Sequence, residues 1–178
     1  MNNKSELGLL HIYTGDGKGK TTAAIGLALR AAARGFRICI IQFMKARGEE
    51  SGEITAIKRF ENVSASRYGG NLLEKDHDPV DVIRSDISKG LGEAIRVVES
   101  RDCDLLILDE INIAVSMNLA DKKEVLKIVG LCKGSIELIM TGRGADREFI
   151  DIADYVTEFR MVKHPFGAGM AARRGIEY

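Results

Sequence analysis

Between an apolar run, "LGLLHIY" (7–13), and an alanine- and leucine-rich run, "KTTAAIGLALRAAAR" (20–34), stand six residues, Thr14-Gly15-Asp16-Gly17-Lys18-Gly19. Half of them are glycine. A strand that passes into a helix through such a turn can point successive backbone N–H groups at one spot. The first turn of the helix then adds the positive end of its dipole, so the junction suits a phosphate. Lys20 places an ammonium among phosphate oxygens, and Thr21 offers a hydroxyl to a magnesium ion. Asp16, Lys18 and Thr22 lie close enough to add contacts. The usual pattern is Gly, four residues, then Gly-Lys-Ser/Thr. Gly19-Lys20-Thr21 fits its end, but Thr14 stands where the first glycine belongs. A bare strand-to-helix turn would need glycines but not Gly-Lys-Thr-Thr after them.

The flanking pattern extends this unit. Gly35 is placed to stop the first helix. "FRICIIQFM" (36–44) is β-branched and almost continuously apolar, as a parallel strand covered on both faces should be. Next, "ARGEESGE" (46–53) reads as a polar loop, and a weaker strand is expected around 63–68. Apolar residues at Ile83, Ile87, Leu91, Ala94, Ile95 and Val98 predict an amphipathic helix over 80–99. Gly90 and Gly92 inside it each cost about 1 kcal/mol against alanine. Further strands are expected at 103–110, 136–142 and 155–162, with helices near 110–117, 121–132 and 146–154. Alternating strands and helices predict an α/β fold: one three-layer domain over 1–178 with a largely parallel sheet. Residues 163–178 read as a tail.

The second chemical feature is Asp109-Glu110, at the end of "LLILDE". A buried strand that delivers acids at its carboxyl end puts them beside the first loop, where open α/β sheets bind ligands. One acid can hold magnesium and the other can orient a nucleophile. Acids at strand ends are common, so the pair gains meaning only beside the loop. Together they predict a magnesium-nucleotide site. These two features leave open whether the nucleotide is cut at its γ-phosphate.

Composition narrows the setting. Lys plus Arg and Asp plus Glu both total 26, so the formal net charge is zero and gives no global pull toward nucleic acid or an anionic membrane. The start, "MNNKSELG", lacks a signal-peptide layout, and no apolar run reaches membrane-spanning length. Cys39, Cys103 and Cys132 are far apart in apolar surroundings, as buried free thiols of a reducing cytoplasm are. His11, His77 and His164 fall in no ligand spacing.

"GDGKGKTTAAIGLALRAAARG", "IIQFMK", "LLILDEIN", "TGRGA" and "VTEFRMVKHPFGAGMAARRGIEY", in this order, closely resemble the ATP:corrinoid adenosyltransferases of the CobA/BtuR type. The resemblance covers most of the chain, and its most specific part is "VKHPF…GIEY". It implies a P-loop NTPase-like fold and transfer of the 5′-deoxyadenosyl group of ATP to the cobalt(I) of a reduced corrinoid, with release of triphosphate. Cobalt(I) is a strong nucleophile, so such a protein aims ribose C5′ at the metal and stabilises the departing triphosphate. ATP lies in the family's loop in the reversed sense, with the γ-phosphate where hydrolases keep the α-phosphate.

By that resemblance Gly15, Asp16, Gly17, Lys18, Gly19, Lys20, Thr21 and Thr22 form the triphosphate loop. Arg30 reaches the nucleoside end, and Glu110 is the acid on the magnesium (or manganese) side, with Thr21. Asp109 is a third candidate for the metal, directly or from behind. Arg143, in "TGRGA", is a candidate for phosphate or a corrinoid amide. Asn112 has either a site role or a helix-start role, and the 163–178 tail is expected near the site. A homodimer and a flavoprotein electron donor are the partners implied.

Two departures stand out. The family commonly carries Gly-x-Gly-Phe-x-Trp after the third strand, whose aromatics help to expel the lower axial ligand of the corrinoid. Here "YGGNLL" (68–73) places Asn71 and Leu73 at those positions, with Tyr68 and Leu73 as an apolar wall. Gly167 also stands where Asp often follows "HPF". Two other functions are compatible with the loop and the acids alone: a phosphohydrolase or small-molecule kinase acting at the γ-phosphate, and a non-catalytic ATP- or corrinoid-binding module.

Overall fold

The computed structural model describes residues 6–45, 50–70, 78–165 and 173–176. Six strands, β1 (Leu10–Thr14), β2 (Ile38–Gln42), β3 (Val63–Arg67), β4 (Leu105–Asp109), β5 (Glu137–Thr141) and β6 (Tyr155–Glu158), form one sheet in the order β3-β2-β4-β5-β1-β6. Every pairing is parallel. All carboxyl ends therefore lie along one edge.

The helices are α1 (Lys20–Ala32), α2 (Gly52–Ile57), α3 (Val80–Glu99), α4 (Ile111–Ser116), α5 (Lys122–Cys132) and α6 (Arg147–Ile152). Strand alternation separates two cores. Ile38, Ile40, Leu105, Ile107 and Ile139 pack with Ala24, Ala28, Ile54 and Ile57 of α1 and α2. Cys39, Ile41, Leu106, Leu108, Leu138 and Met140 pack with Ile83, Ile87, Ile111, Val125, Ile128 and Phe149 of α3 to α6. Sheet residues buried on both faces explain the near-continuous apolar runs, and the three layers follow.

Two expectations need correction. Gly52 and Glu53 open α2 rather than closing a loop. This helix has only six residues and shows a single apolar pair, Ile54 and Ile57, too short for a helical period to register. Residues 159–162 leave the sheet after β6, which ends at Glu158. Gly90 also gains a reason: a Cβ there would lie 2.6 Å from the Tyr68 ring and 2.8 Å from that of Phe43, whereas one on Gly92 would meet nothing within 4 Å.

Cys39, Cys103 and Cys132 are free and buried. Burial pushes the Cys39 thiol up to about 11 and the Cys132 thiol to about 12, so neither is a ready nucleophile. Among the described residues no helix is long and apolar enough to cross a membrane.

Candidate functional site

β1 carries the chain to Thr14, between β5 and β6, and the glycine loop follows. Gly15 (φ +92°) and Gly19 (φ +112°) sit in the left-handed region that side chains resist. A Cβ on Gly15 would lie 2.5 Å from the carbonyl oxygen of Phe159, and one on Gly17 2.7 Å from it. The Gly17 N–H donates to that carbonyl at 2.6 Å, and the Phe159 N–H donates to the Thr14 carbonyl at 2.8 Å. Two of the loop glycines are thus required by the chain leaving β6, which lies against the loop, and not by phosphate alone. Thr14 has its own use: its hydroxyl accepts the Ala145 N–H at 3.3 Å, tying the loop entrance to the segment after β5.

Lys20 begins α1 and is 8% exposed. Its ammonium donates to the carbonyls of Gly15 (2.6 Å) and Gly17 (2.9 Å), which hold it inside the loop. Burial lowers its pKa, opposed chiefly by the charge of Glu110. Asp16, Lys18 and Thr22 are exposed. Lys18 donates to the carbonyl of Ile176 at 3.3 Å, so part of the C-terminal segment lies against the loop. Arg143 follows β5 between Gly142 (φ +127°) and Gly144 (φ +64°), and its Nε stands 3.8 Å from Asp16 Oδ1. Arg30 is not gathered with these groups. It lies in the last turn of α1, roughly 15 Å along the axis from Lys20. Its charge is felt by Tyr13, whose hydroxyl pKa burial raises and Arg30 opposes.

Asp109 ends β4, and Glu110 (φ +61°) turns the chain into α4. β5 separates β4 from β1, so the acids reach the loop past the tip of β5. Asp109 is 1% exposed and accepts three donors. The hydroxyls of Thr21 (2.8 Å) and Thr141 (2.6 Å) reach Oδ1, and the Gln42 amide (2.9 Å) reaches Oδ2. The Glu110 N–H donates to the Thr141 hydroxyl at 3.0 Å. Burial, then the charge of Asp109, raises the Glu110 carboxyl pKa, while Lys45, Lys20 and Arg143 oppose the rise. Glu110 Oε2 lies 3.2 Å from where a Cβ on Gly142 would stand, so a side chain there would press on the carboxylate.

These donors suit a hard divalent cation. The Thr21 proton is committed to Asp109, which leaves the hydroxyl lone pairs for a metal. Glu110 supplies a carboxylate that burial and a like charge hold at a disadvantage, and a cation would relieve both. Among the described residues no three His, Cys, Asp or Glu side chains form a metal-holding group. A cation here would take its remaining ligands from phosphate and water, as magnesium does at nucleotide sites.

Sequence reasoning missed Gln42, Thr141 and Phe159. The first two had a signal: the buried runs of β2, β4 and β5 end on Gln42, Asp109 and Thr141, and only the acid drew notice. Phe159 had none, since nothing local marks a residue whose carbonyl caps another strand's loop. Asn112 is fully buried within α4. Its amide points at the carbonyls of Met140 (3.4 Å) and Gly142 (3.5 Å), and Oδ1 has no hydrogen-bond partner. Tyr68 packs on Gly90 and donates to Glu93 at 2.6 Å, so its ring is part of the α3 packing. Asn71, Leu73 and Gly167 lie outside the described residues.

Residues 6–178 match the family described as ATP:corrinoid adenosyltransferase BtuR/CobO/CobP. The chain is 33% identical to the corrinoid adenosyltransferase of Pseudomonas aeruginosa, over 98% of this chain and 86% of that protein. It is 33% identical to the corrinoid adenosyltransferase CobA of Salmonella typhimurium, over 98% and 88%. Against the corrinoid adenosyltransferase of Escherichia coli the identity is 31%, over 98% and 88%.

Proposed function

The chain belongs to the ATP:corrinoid adenosyltransferase family, and we propose that Lys20, Thr21 and Glu110 are the residues with which it moves the 5′-deoxyadenosyl group of ATP onto the cobalt(I) of a reduced corrinoid. The observation that carries this assignment is the convergence of loop, metal-side hydroxyl and acid: Lys20 within the loop, Thr21 bonded to Asp109, and the next residue, Glu110, near enough for its charge to act on Lys20.

In the reaction, cobalt(I) attacks ribose C5′, the C5′–O bond breaks, and triphosphate leaves with the electron pair. No proton has to be removed from the nucleophile, which fits a site where Asp109 is already engaged by two hydroxyls. Lys20, the loop N–H groups and the start of α1 stabilise the triphosphate as charge develops. Thr21 and Glu110 would hold a magnesium or manganese ion, which when bound would neutralise part of that charge, and Asp109 orients Thr21 from behind. Asp16, Lys18 and Thr22 line the loop mouth with Arg143, and Arg30 serves the nucleoside end.

The chain acts as a single domain in the cytoplasm and receives its electron from a flavoprotein. It works as a homodimer, supported by exposed apolar side chains at the sheet edge, Tyr155 (53%) and Val156 (45%). Around Ile176 the carboxyl-terminal segment lies against the loop, where its carbonyl accepts from Lys18.

A magnesium titration tests the residue roles. Native chain should release triphosphate in step with added metal, and Glu110→Gln should need far more metal for half-maximal rate. An unchanged metal requirement in Glu110→Gln would remove Glu110 from the site.

A further inference from the structure

Four neighbouring strands end on polar residues that lie side by side: Arg67 on β3, Gln42 on β2, Asp109 on β4 and Thr141 on β5. Gln42 is in register with Arg67 on one side and with Asp109 on the other. Leu108 is opposite Met140, so Asp109 and Thr141 follow at the next level. A hydrogen-bonded chain runs along this row. Arg67 Nε donates to Gln42 Oε1 at 3.2 Å, Gln42 Nε2 donates to Asp109 Oδ2 at 2.9 Å, and Thr141 Oγ1 donates to Asp109 Oδ1 at 2.6 Å.

Each link has one polarity. Arg67 can only donate, so it fixes the Gln42 oxygen toward itself and the Gln42 amide N–H toward Asp109. The Thr141 hydroxyl receives the Glu110 N–H at 3.0 Å and so spends its own proton on Asp109. Gln42 and Asp109 are 1% exposed and Thr141 is fully buried, so water does not substitute for these donors. With both Asp109 oxygens held, the Thr21 proton has a fixed destination at Oδ1, 2.8 Å away.

We infer that Thr141 and Gln42 are positioning residues that fix Asp109, and through it the metal-facing lone pairs of Thr21, with Arg67 setting the sense of the Gln42 amide. Thr141 also holds the backbone of Glu110, so a single hydroxyl aligns both sides of the cation position. The inference rests on the magnesium-ATP reading of the site.

Its test compares the native chain with Thr141→Val, which keeps shape and loses the hydroxyl, and Thr141→Ser, which keeps the hydroxyl. The readout is the rise in melting temperature caused by ATP with chelator, and the further rise when magnesium replaces the chelator. Thr141→Val should keep the ATP response and lose most of the magnesium increment, and Thr141→Ser should restore it. At saturating substrates kcat should fall roughly tenfold to a hundredfold in Thr141→Val, as for a lost hydrogen bond to a charged group, with KM for the corrinoid unchanged. If Thr141→Val does not fold, Gln42→Met gives the same comparison from the other carboxylate oxygen. A native magnesium increment in the folded variant would overturn the inference alone. A native chain that responds to neither ATP nor magnesium would overturn the nucleotide-site reading, and this inference with it.

Discussion

The Thr21 hydroxyl, at the start of α1, donates to the Asp109 carboxylate, at the end of β4, across 2.8 Å. The bond spans the sheet edge past the intervening strand β5 and joins the loop to the acids. Asp109→Asn would replace one carboxylate oxygen with a donor. Turned one way it cannot receive the Thr21 and Thr141 protons, and turned the other way it sets its amide N–H groups against those of Gln42. Affinity for magnesium-ATP should fall roughly tenfold to a hundredfold, while affinity for ATP without metal changes little. Calorimetric titration with and without magnesium checks this.

The Lys20 ammonium is held by two loop carbonyls and, among the described residues, by no hydrogen bond to the core. Lys20→Ala should leave the far-ultraviolet circular dichroism spectrum native and the melting temperature within a few degrees. Turnover should fall about 100- to 1000-fold, the usual cost of one stabilising group at a site of developing charge. Normal turnover in this variant would refute the triphosphate assignment of the loop.

Glu110 gives a pH prediction with a definite sign. Burial and Asp109 raise its pKa in the folded chain above the unfolded value of about 4.3. Between those two values the folded state binds more protons than the unfolded state. The contribution of Glu110 to stability therefore falls as pH rises through the window and stays low above it. Glu110→Gln should match the native chain below the window and exceed it in stability above, measured by urea unfolding without metal. Adding magnesium with ATP should narrow or reverse the difference, because only the native carboxylate gains a cation.

Much of this was legible beforehand. The apolar runs located β1, β2, β4 and β5 because the central strands of a parallel sheet covered on both faces need near-continuous hydrophobic segments. β3 and the exposed edge strand β6 gave weaker, mixed patterns. The loop was legible because glycine, lysine and threonine at fixed spacing state a requirement for phosphate. α2 was not, since six residues with one buried apolar pair do not establish a period. The polar row of Arg67, Gln42 and Thr141 stayed hidden because strand order, which makes those strand ends neighbours, is written in no local pattern. The use of Gly15 and Gly17 was half legible: their freedom was read, but the Phe159 carbonyl that demands it comes from the far end of the chain.

The two glycines of α3 should part company. Gly92→Ala meets open space and improves helix propensity, so it should stabilise the chain by about 1 kcal/mol. Gly90→Ala would drive a methyl into the rings of Tyr68 and Phe43 and should destabilise it by roughly 1–3 kcal/mol. Urea midpoints of the two single variants decide the point. Equal shifts would mean that Tyr68 does not pack as described.

The most direct measurement is made without oxygen. The chain is mixed with magnesium-ATP and chemically reduced cobalamin, and the absorbance spectrum and the phosphate product are followed together. A light-sensitive adenosyl–cobalt spectrum that grows with one equivalent of triphosphate is the predicted result. ADP and orthophosphate with no new cobalt species would contradict the account, since the loop would then be serving attack at the γ-phosphate.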